Sequence, residues 1–108
     1  REFQDKVNLV YISAYQKLSE DFIREFQDKV DWPLVSEYQK LSEDFIREFQ
    51  DKVDWFWISR YQKFSEDFFW EFVDKLDFKN INKEKNSWSK NKSEGLTVFL
   101  ELRGELDE

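Results

Sequence analysis

A unit of 23 residues repeats along this chain and constrains its fold more than any other feature. The stretch from Arg24 to Ile46, REFQDKVDWPLVSEYQKLSEDFI, recurs at 1–23 and 47–69 without insertions and fades through 70–92. Repeats of this length are typical of solenoids, in which each unit buries its apolar side against its neighbours. We therefore expect a solenoid of three full repeats and a degenerate fourth over 1–92, followed by a C-terminal capping segment or tail over 93–108.

Each unit carries two signals for the start of a helix. The first is an Asn or Asp before a large apolar residue, at Asn8, Asp31, Asp54 and Asp77. The second is a Ser followed by Glu-Asp in the full units, at Ser19, Ser42 and Ser65. These side chains accept hydrogen bonds from the unpaired amides of a first helical turn. Each unit is therefore predicted to form two short helices.

The second helix of unit two is predicted over 43–53. Its apolar residues share one face of about 100° on a helical projection: Phe45, Ile46, Phe49 and Val53. Two pairs of opposite charge have the i,i+4 spacing that stabilises helices: Glu43–Arg47 and Glu48–Lys52. This spacing predicts a helix and excludes a strand.

The first helix of unit two is predicted over 32–40, with Trp32, Val35 and Tyr38 as its inner apolar positions. Helices this short cannot bury their apolar faces alone. Connections of one to three residues between the predicted helices favour antiparallel hairpins. The predicted fold class is all-α, a solenoid of short helical hairpins with 23-residue units.

The C-terminal tail has two interpretations. Leu96, Val98, Leu100 and Leu102 alternate as in a strand, whereas Leu96, Phe99, Leu100 and Arg103 share a helical face. Because the sequence offers no partner strand, a capping helix that ends at Gly104 is favoured. Trp88 is the one large apolar residue of the polar run 83–92, and it is expected to fold back as part of the cap.

One motif resembles a known repeat. The segment Trp55–Phe69 resembles the WxxISxxQKLSEDFI unit of tandem repeat proteins from large DNA viruses and some bacteria, with Phe64 and Phe69 as departures. The similarity extends from Arg1 to about Ile81. It implies an architecture similar to tetratricopeptide or HEAT arrays with a shorter unit, and it implies no activity.

The composition argues against catalysis. The chain has no His and no Cys, so the usual general base, the thiol nucleophile and the commonest zinc ligands are missing. The sequence contains neither a calcium-binding loop nor a Gly-rich phosphate loop. Each acid of the repeats has a structural role as a cap, a helix-dipole partner or a solvated side chain. We expect a protein that is not an enzyme and that needs no metal or cofactor.

The charge limits the partners. With 17 basic and 24 acidic residues the net charge is −7, which disfavours nucleic acid and anionic membranes. The lack of Cys, of a signal peptide and of a long apolar run predicts a soluble protein of the host or bacterial cytosol. The sequence starts within a repeat without Met, so we expect a fragment. Its uncapped N-terminal end is expected to favour self-association.

The positions at which the units differ indicate a contact surface. Units one and two differ at six positions, all within 8–14, and units two and three change character at three. With Trp32 at 0° on a helix, positions 33, 37 and 34 lie at about 100°, 140° and 200°, opposite Trp32 and Val35. The variable positions are Val10, Tyr11 and Ala14; Pro33, Leu34 and Glu37; Phe56, Trp57 and Arg60; and Lys79, Asn80 and Lys83. We expect them to face outward in one column.

A column of exposed aromatic residues is typical of protein-binding surfaces. We therefore predict a scaffold that binds a protein or peptide through these positions. One alternative is drift after recent duplication, although Gln27/Gln50 and Asp28/Asp51, interpreted as surface positions, have not changed. Another is that the cap or a second copy buries Phe56 and Trp57. The alternative function is a self-assembling structural repeat without a dedicated ligand. Ser36 and Gln39 are expected to satisfy backbone groups between helices.

Overall fold

The computed structural model describes residues 2–105, with side-chain burial from Leu9 onward. Its helices are α1 (Glu2–Tyr15), α2 (Glu20–Glu25), α3 (Trp32–Tyr38), α4 (Glu43–Glu48), α5 (Trp55–Tyr61), α6 (Glu66–Glu71) and α7 (Glu94–Arg103), with 3₁₀ turns at Phe78–Asn80 and Ser87–Ser89. No strand occurs in this range, so the predicted all-α class is confirmed. The molecule is elongated, with extents of 54 × 22 × 19 Å.

The predicted caps form at the second helix of each full unit. Ser19, Ser42 and Ser65 each accept a hydrogen bond from the amide three residues ahead, at 3.1 Å. Asp31 caps α3 in the same manner, and Asp54 caps α5 by accepting from the amides of both Phe56 and Trp57. These side chains fix where five of the helices begin.

The helix start predicted at Asn8 is wrong, because α1 runs through this position without a break. In the next two units a turn precedes the Asp cap, and a Trp indole N–H donates across that turn to a backbone oxygen. The bonds are Trp32 Nε1 to Gln27 O at 2.9 Å and Trp55 Nε1 to Gln50 O at 3.0 Å. Leu9 stands at the Trp position of unit one and has no indole N–H. Phe78 lacks this group too, yet 72–75 form a turn before it, so the indole bond accompanies the turn and is not required for it.

The second helix of unit two is shorter than predicted, since α4 ends at Glu48 and 49–53 form a turn. The amides of Lys52 and Val53 both donate to Phe49 O, at 2.8 and 3.0 Å. Gln50 Nε2 donates to Arg47 O at 3.0 Å and satisfies a carbonyl at the helix end. Phe49 and Val53 remain buried in this turn, so the apolar spacing is kept although the helix is not.

The connections are also longer than predicted. Within unit two 39–42 join α3 to α4, and 49–54 join α4 to α5, so they contain four and six residues. α3 ends at Tyr38 because Gln39 adopts an extended backbone, with φ −91° and ψ 145°. The closest helix packing joins successive first helices, α1 to α3 and α3 to α5. The outward sides of these helices consequently lie next to one another.

The ion pairs follow the stacking of units as well as the helix spacing. Glu43 pairs with Arg47 at 3.6 Å, as predicted. The predicted pair Glu48–Lys52 is wrong, because Glu48 pairs with Arg24 at 2.8 Å and Lys52 with Asp28 at 3.4 Å. Lys52 lies beyond the end of α4, which removes the i,i+4 geometry on which the prediction depended.

The fourth unit keeps its core residues and loses its first helix. Phe78 and Ile81 are buried, as their match to the repeat predicts, but only a 3₁₀ turn forms around them. Trp88 folds back as expected, with Nε1 donating to Phe64 O at 2.8 Å. The tail forms the predicted helix, α7, which ends at Gly104 with a left-handed φ of 72°. Glycine adopts this conformation without the steric cost other residues pay.

α7 occupies the place of a second helix in the fourth unit. The carboxylate of Glu20 accepts from Ser42 N and that of Glu43 from Ser65 N, both at 2.7 Å. Glu66, at the same position of the next unit, accepts from Ser93 Oγ at 3.1 Å, and Ser93 caps α7. The buried residues Leu96 and Leu100 join α7 to the core of the repeats.

Candidate functional site

The inner side of each first helix carries a Ser that bonds to the next unit. Ser36 Oγ accepts a hydrogen bond from Asp54 N at 2.9 Å, and Ser13 and Ser59 accept from Asp31 N and Asp77 N at 3.3 and 3.1 Å. All three serines are fully buried. The amide of each capping Asp thus depends on the unit before it.

A buried Gln beside each Ser makes a second set of bonds between units. Gln62 Nε2 donates to Ser36 O and Gln39 O, and Gln62 Oε1 accepts from Leu41 N at 3.1 Å. Gln39 repeats this pattern one unit earlier, toward Ser13 O, Gln16 O and Leu18 N. Asn86 ends the series by accepting from Phe64 N at 2.7 Å and donating to Gln62 O. The structural role expected for Ser36 and Gln39 is therefore observed.

The outer side of the same helices carries the variable positions, and none of the twelve is buried. Tyr11 is 57% and Phe56 48% exposed, while Leu34 and Trp57 are half-buried. The outward orientation derived from the helical projection is thus observed. Whether these positions bind a ligand stays a prediction.

Three shallow grooves run along this outer side. The apolar groove, of about 560 Å³, is lined by Val10, Tyr11, Ala14, Tyr15, Leu34 and Tyr38. The middle groove is lined by Glu37, Tyr38, Gln39, Lys40, Tyr61, Gln62, Lys63 and Lys85. The basic groove is lined by Arg60, Tyr61, Lys79, Asn80, Ile81, Asn82, Lys83 and Glu84. Nine of the twelve variable positions line these grooves, and Pro33, Phe56 and Trp57 lie outside them.

The sequence interpretation missed the repeated tyrosine of the first helices. Tyr38 was assigned to the inner apolar side, but it is 53% exposed, and Tyr15 is 69% exposed. Their rings stack with centroids 6.2 Å apart. Helical geometry gave a weak signal, because Tyr38 lies at about 240° from Trp32, somewhat nearer to Leu34 at about 200° than to Val35 at about 300°. These tyrosines belong to the outward face.

Phe56 and Trp57 form an exposed aromatic cluster with Tyr61. Phe56 meets Trp57 edge to face at 4.7 Å, and Trp57 stacks on Tyr61 at 5.5 Å. The alternative that the C-terminal cap buries Phe56 and Trp57 is wrong for the described residues, since neither side chain is buried. The cap instead packs on Trp70, whose ring lies 4.9 Å from that of Phe99.

The electrostatics change along the outer side. Beside the apolar groove, the Glu37 carboxylate raises the pKa of Tyr38 above its ordinary value, chiefly by repulsion of the phenolate charge. At the other end, the Lys83 ammonium lies 5.0 Å from the centre of the Phe78 ring. The lining of the apolar groove itself is uncharged with an anionic group beside it, whereas the other end carries cationic groups.

Two positions used as surface references in the sequence argument prove to be structural. Gln27 and Gln50 are half-buried, and each bonds to the backbone and accepts the Trp indole bond. Asp28 pairs with Lys52 of the next unit. These contacts explain why Gln27, Gln50 and Asp28 are kept, whereas Asp51 forms no ion pair among the described residues. A position can serve as a reference for surface drift only if it is exposed and forms none of these bonds.

No family model, curated protein or solved structure matches this chain. The resemblance to the viral and bacterial repeat proteins therefore stays a prediction. Within residues 2–105, no helix combines the length and apolar character that crossing a membrane requires. The predicted self-association through the N-terminal end depends on side chains of residues 1–8, which lie outside the described side chains.

Proposed function

We propose that this protein is an interaction scaffold that binds a protein or peptide through the outward face of α1, α3, α5 and the Phe78–Asn80 turn. One observation carries the proposal. Between α3 and α5, the buried Ser that bonds to the next unit is identical and Val35 is replaced only by the similar Ile58, whereas the three positions that change in character lie on the outer side.

Drift of free surface positions explains this pattern less well. Lys29 and Lys75 occupy the same position in two units, are exposed, line none of the three grooves and form no ion pair with a carboxylate of the described residues. Drift acts on such positions too, yet both remain Lys. It also favours polar residues at the surface, and unit three carries Phe56 and Trp57 there.

The composition of the outer side supports a protein ligand. Aromatic residues are enriched in the centres of protein interfaces, where truncation of a few of them removes most of the affinity. Phe56, Trp57 and Tyr61 form one exposed cluster of this kind, and Tyr11, Tyr15 and Tyr38 form another. The two clusters lie on successive first helices of the array.

Selection of binding peptides tests the proposal. A random 12-residue peptide library on phage is selected on the wild-type protein, and the affinity of the enriched peptides is then measured for variants. We expect Phe56→Ser/Trp57→Ser to weaken binding by at least about tenfold, the loss typical of an interface hot spot. Retained far-UV circular dichroism and thermal midpoint show that the variant is folded.

The matched control is Lys29→Ser/Lys75→Ser. Both lysines are exposed in the turns after the second helices, outside α1, α3 and α5 and outside both aromatic clusters. This variant is expected to bind within about twofold of the wild type, as is usual outside an interface hot spot. Equal affinity of the wild type and Phe56→Ser/Trp57→Ser, or a library without any enriched peptide, contradicts the proposal.

A further inference from the structure

The three grooves form one surface, because neighbouring grooves share a tyrosine. Tyr38 lines both the apolar and the middle groove, and Tyr61 lines both the middle and the basic groove. The first helices that carry these grooves pack side by side. A ligand that lies across successive units therefore meets the three grooves in order.

Charge divides this surface into a neutral and a cationic part. The apolar groove has no charged residue in its lining. The middle and basic grooves are lined by six basic residues, Lys40, Arg60, Lys63, Lys79, Lys83 and Lys85, and by two acidic residues, Glu37 and Glu84. Most of this surface is thus cationic, although the chain as a whole carries a net charge of −7.

The cationic side chains are not neutralised by the described part of the chain. Among residues 9–105, no carboxylate forms an ion pair with any of the six basic residues. Glu84 pairs with Lys90 at 3.2 Å, and Lys85 donates to the backbone oxygen of Tyr61 at 2.7 Å. The remaining ammonium and guanidinium groups are available to an anionic ligand.

We propose that the ligand of this surface is an extended acidic segment of another polypeptide. An aliphatic or aromatic side chain of the segment occupies the apolar groove, and its carboxylates lie over the middle and basic grooves. The inference rests on the proposed function and names the chemistry of the partner. Electrostatic complementarity of this kind fixes the direction of the bound chain and raises its rate of association.

The spacing of the units sets the length of the segment. Packed helices lie roughly 8–10 Å apart, so the distance from α1 to the Phe78–Asn80 turn is about 27 Å. An extended chain advances about 3.3 Å per residue, and about eight residues cover this distance. A 12-residue library contains such segments.

A single-stranded nucleic acid fits the surface less well. It also combines negative charge with groups that stack on aromatic rings. The apolar groove, however, offers no cation to a phosphate, whereas an apolar side chain of a peptide can occupy it.

The sequences and salt dependence of the enriched peptides test the inference. We expect an excess of Asp and Glu next to one large apolar residue, and replacement of the acids by Asn and Gln to weaken binding at least about tenfold. Raising the salt from about 50 to about 500 mM is expected to weaken the acidic peptides, because surface charges are screened. Fluorescence anisotropy of labelled peptides gives both results.

Variants locate the charge effect. Lys79→Glu/Lys83→Glu is expected to weaken the acidic peptides at least about tenfold, whereas Lys29→Glu/Lys75→Glu, with the same change of net charge, stays within about threefold. Tyr11→Ser/Leu34→Ser is expected to weaken them to a similar degree at low and high salt, since the apolar groove holds no charge. If the two charge reversals weaken binding equally, the net charge of the whole protein controls the affinity. That result contradicts binding of the carboxylates at the basic groove.

The outcomes separate the inference from the proposed function. If the enriched peptides lack Asp and Glu but still depend on Phe56 and Trp57, the proposal of an acidic ligand is wrong and the proposed scaffold function stands. A library without any enriched peptide overturns both. If an oligothymidine of 20 nucleotides binds more tightly than any peptide, the ligand of this surface is a nucleic acid and not a polypeptide. If the protein forms a dimer that Lys79→Glu/Lys83→Glu abolishes, the partner of this face is a second copy of the chain.

Discussion

The inner and outer sides of α3 and α5 differ in what their residues contact. On the inner side, Ser36 and Gln62 bond to the backbone of other units, and they are fully or almost fully buried. On the outer side, Leu34, Phe56 and Trp57 contact mainly neighbouring side chains and water. The comparison shows that the residues that bond between copies are the same in each full copy. A residue that satisfies a backbone group of the adjacent unit has to be present in each copy. A residue without such a bond can be replaced without exposing an unpaired group in its neighbour.

The largest expected difference between the two sides concerns Gln62. Gln62→Ala leaves Leu41 N, Ser36 O and Gln39 O without their partners in a buried site. Each unsatisfied group costs about 1–3 kcal/mol, so we expect the free energy of unfolding to fall by about 3 kcal/mol or more. Urea unfolding followed by circular dichroism measures this change.

The matched outer substitution is Phe56→Ser, for which we expect a change of roughly 0.5 kcal/mol, as for other surface positions. The two variants are compared under identical conditions. A loss for Phe56→Ser as large as for Gln62→Ala shows that the outer side also supports the fold.

An intermediate effect is expected at Trp55, which contributes to both core packing and a turn. Trp55→Phe keeps a ring between Phe68 and Phe72 and removes the bond from Nε1 to Gln50 O. We expect a loss of about 1 kcal/mol, typical of one hydrogen bond. Amide exchange measured residue by residue is expected to show faster exchange in 49–54. Uniform exchange across the chain instead assigns the loss to packing alone.

A small effect is also expected when unit two receives the outer residues of unit three. Pro33→Phe/Leu34→Trp/Glu37→Arg changes three positions on the outer side and no bond between units. The unfolding free energy is expected to change by less than about 1 kcal/mol, in part from the lost rigidity of Pro33. The midpoint of urea unfolding measures this change. A shift as large as that of Gln62→Ala would mean that the outer side supports the fold as much as the inner side does.

Much of this division could be predicted from the sequence, because it depends on local rules. The Ser and Asp caps follow from side-chain chemistry at a helix start, and the outward orientation of Leu34 and Glu37 follows from 100° per residue. The end of α4 could not be predicted in this way. Phe49 and Val53 have the same apolar spacing in a helix and in the observed turn. The turn also forms at 72–75, where Val73 and Phe78 replace Gln50 and Trp55, so the side-chain bonds of these two residues do not decide where the helix ends.

The grooves could not be predicted from the sequence, for a different reason. Their linings combine residues from neighbouring units, and the closest packing of α1, α3 and α5 decides which residues meet. Tyr38 was misplaced because its apolar ring was given more weight than its helical angle. Lys85 lies in the degenerate fourth unit, where the lost register leaves no pattern from which its place in the middle groove could be derived.

A saturation scan of Trp32–Tyr38 and Trp55–Tyr61 on the displayed protein tests the central division most directly. Each variant is scored for resistance to protease and for capture of the enriched peptide. We predict that changes at Ser36 and Ser59 lose protease resistance, whereas changes at Leu34, Phe56 and Trp57 keep it and lose only capture. Loss of protease resistance at both groups alike, or capture that survives every change on the outer side, contradicts the account.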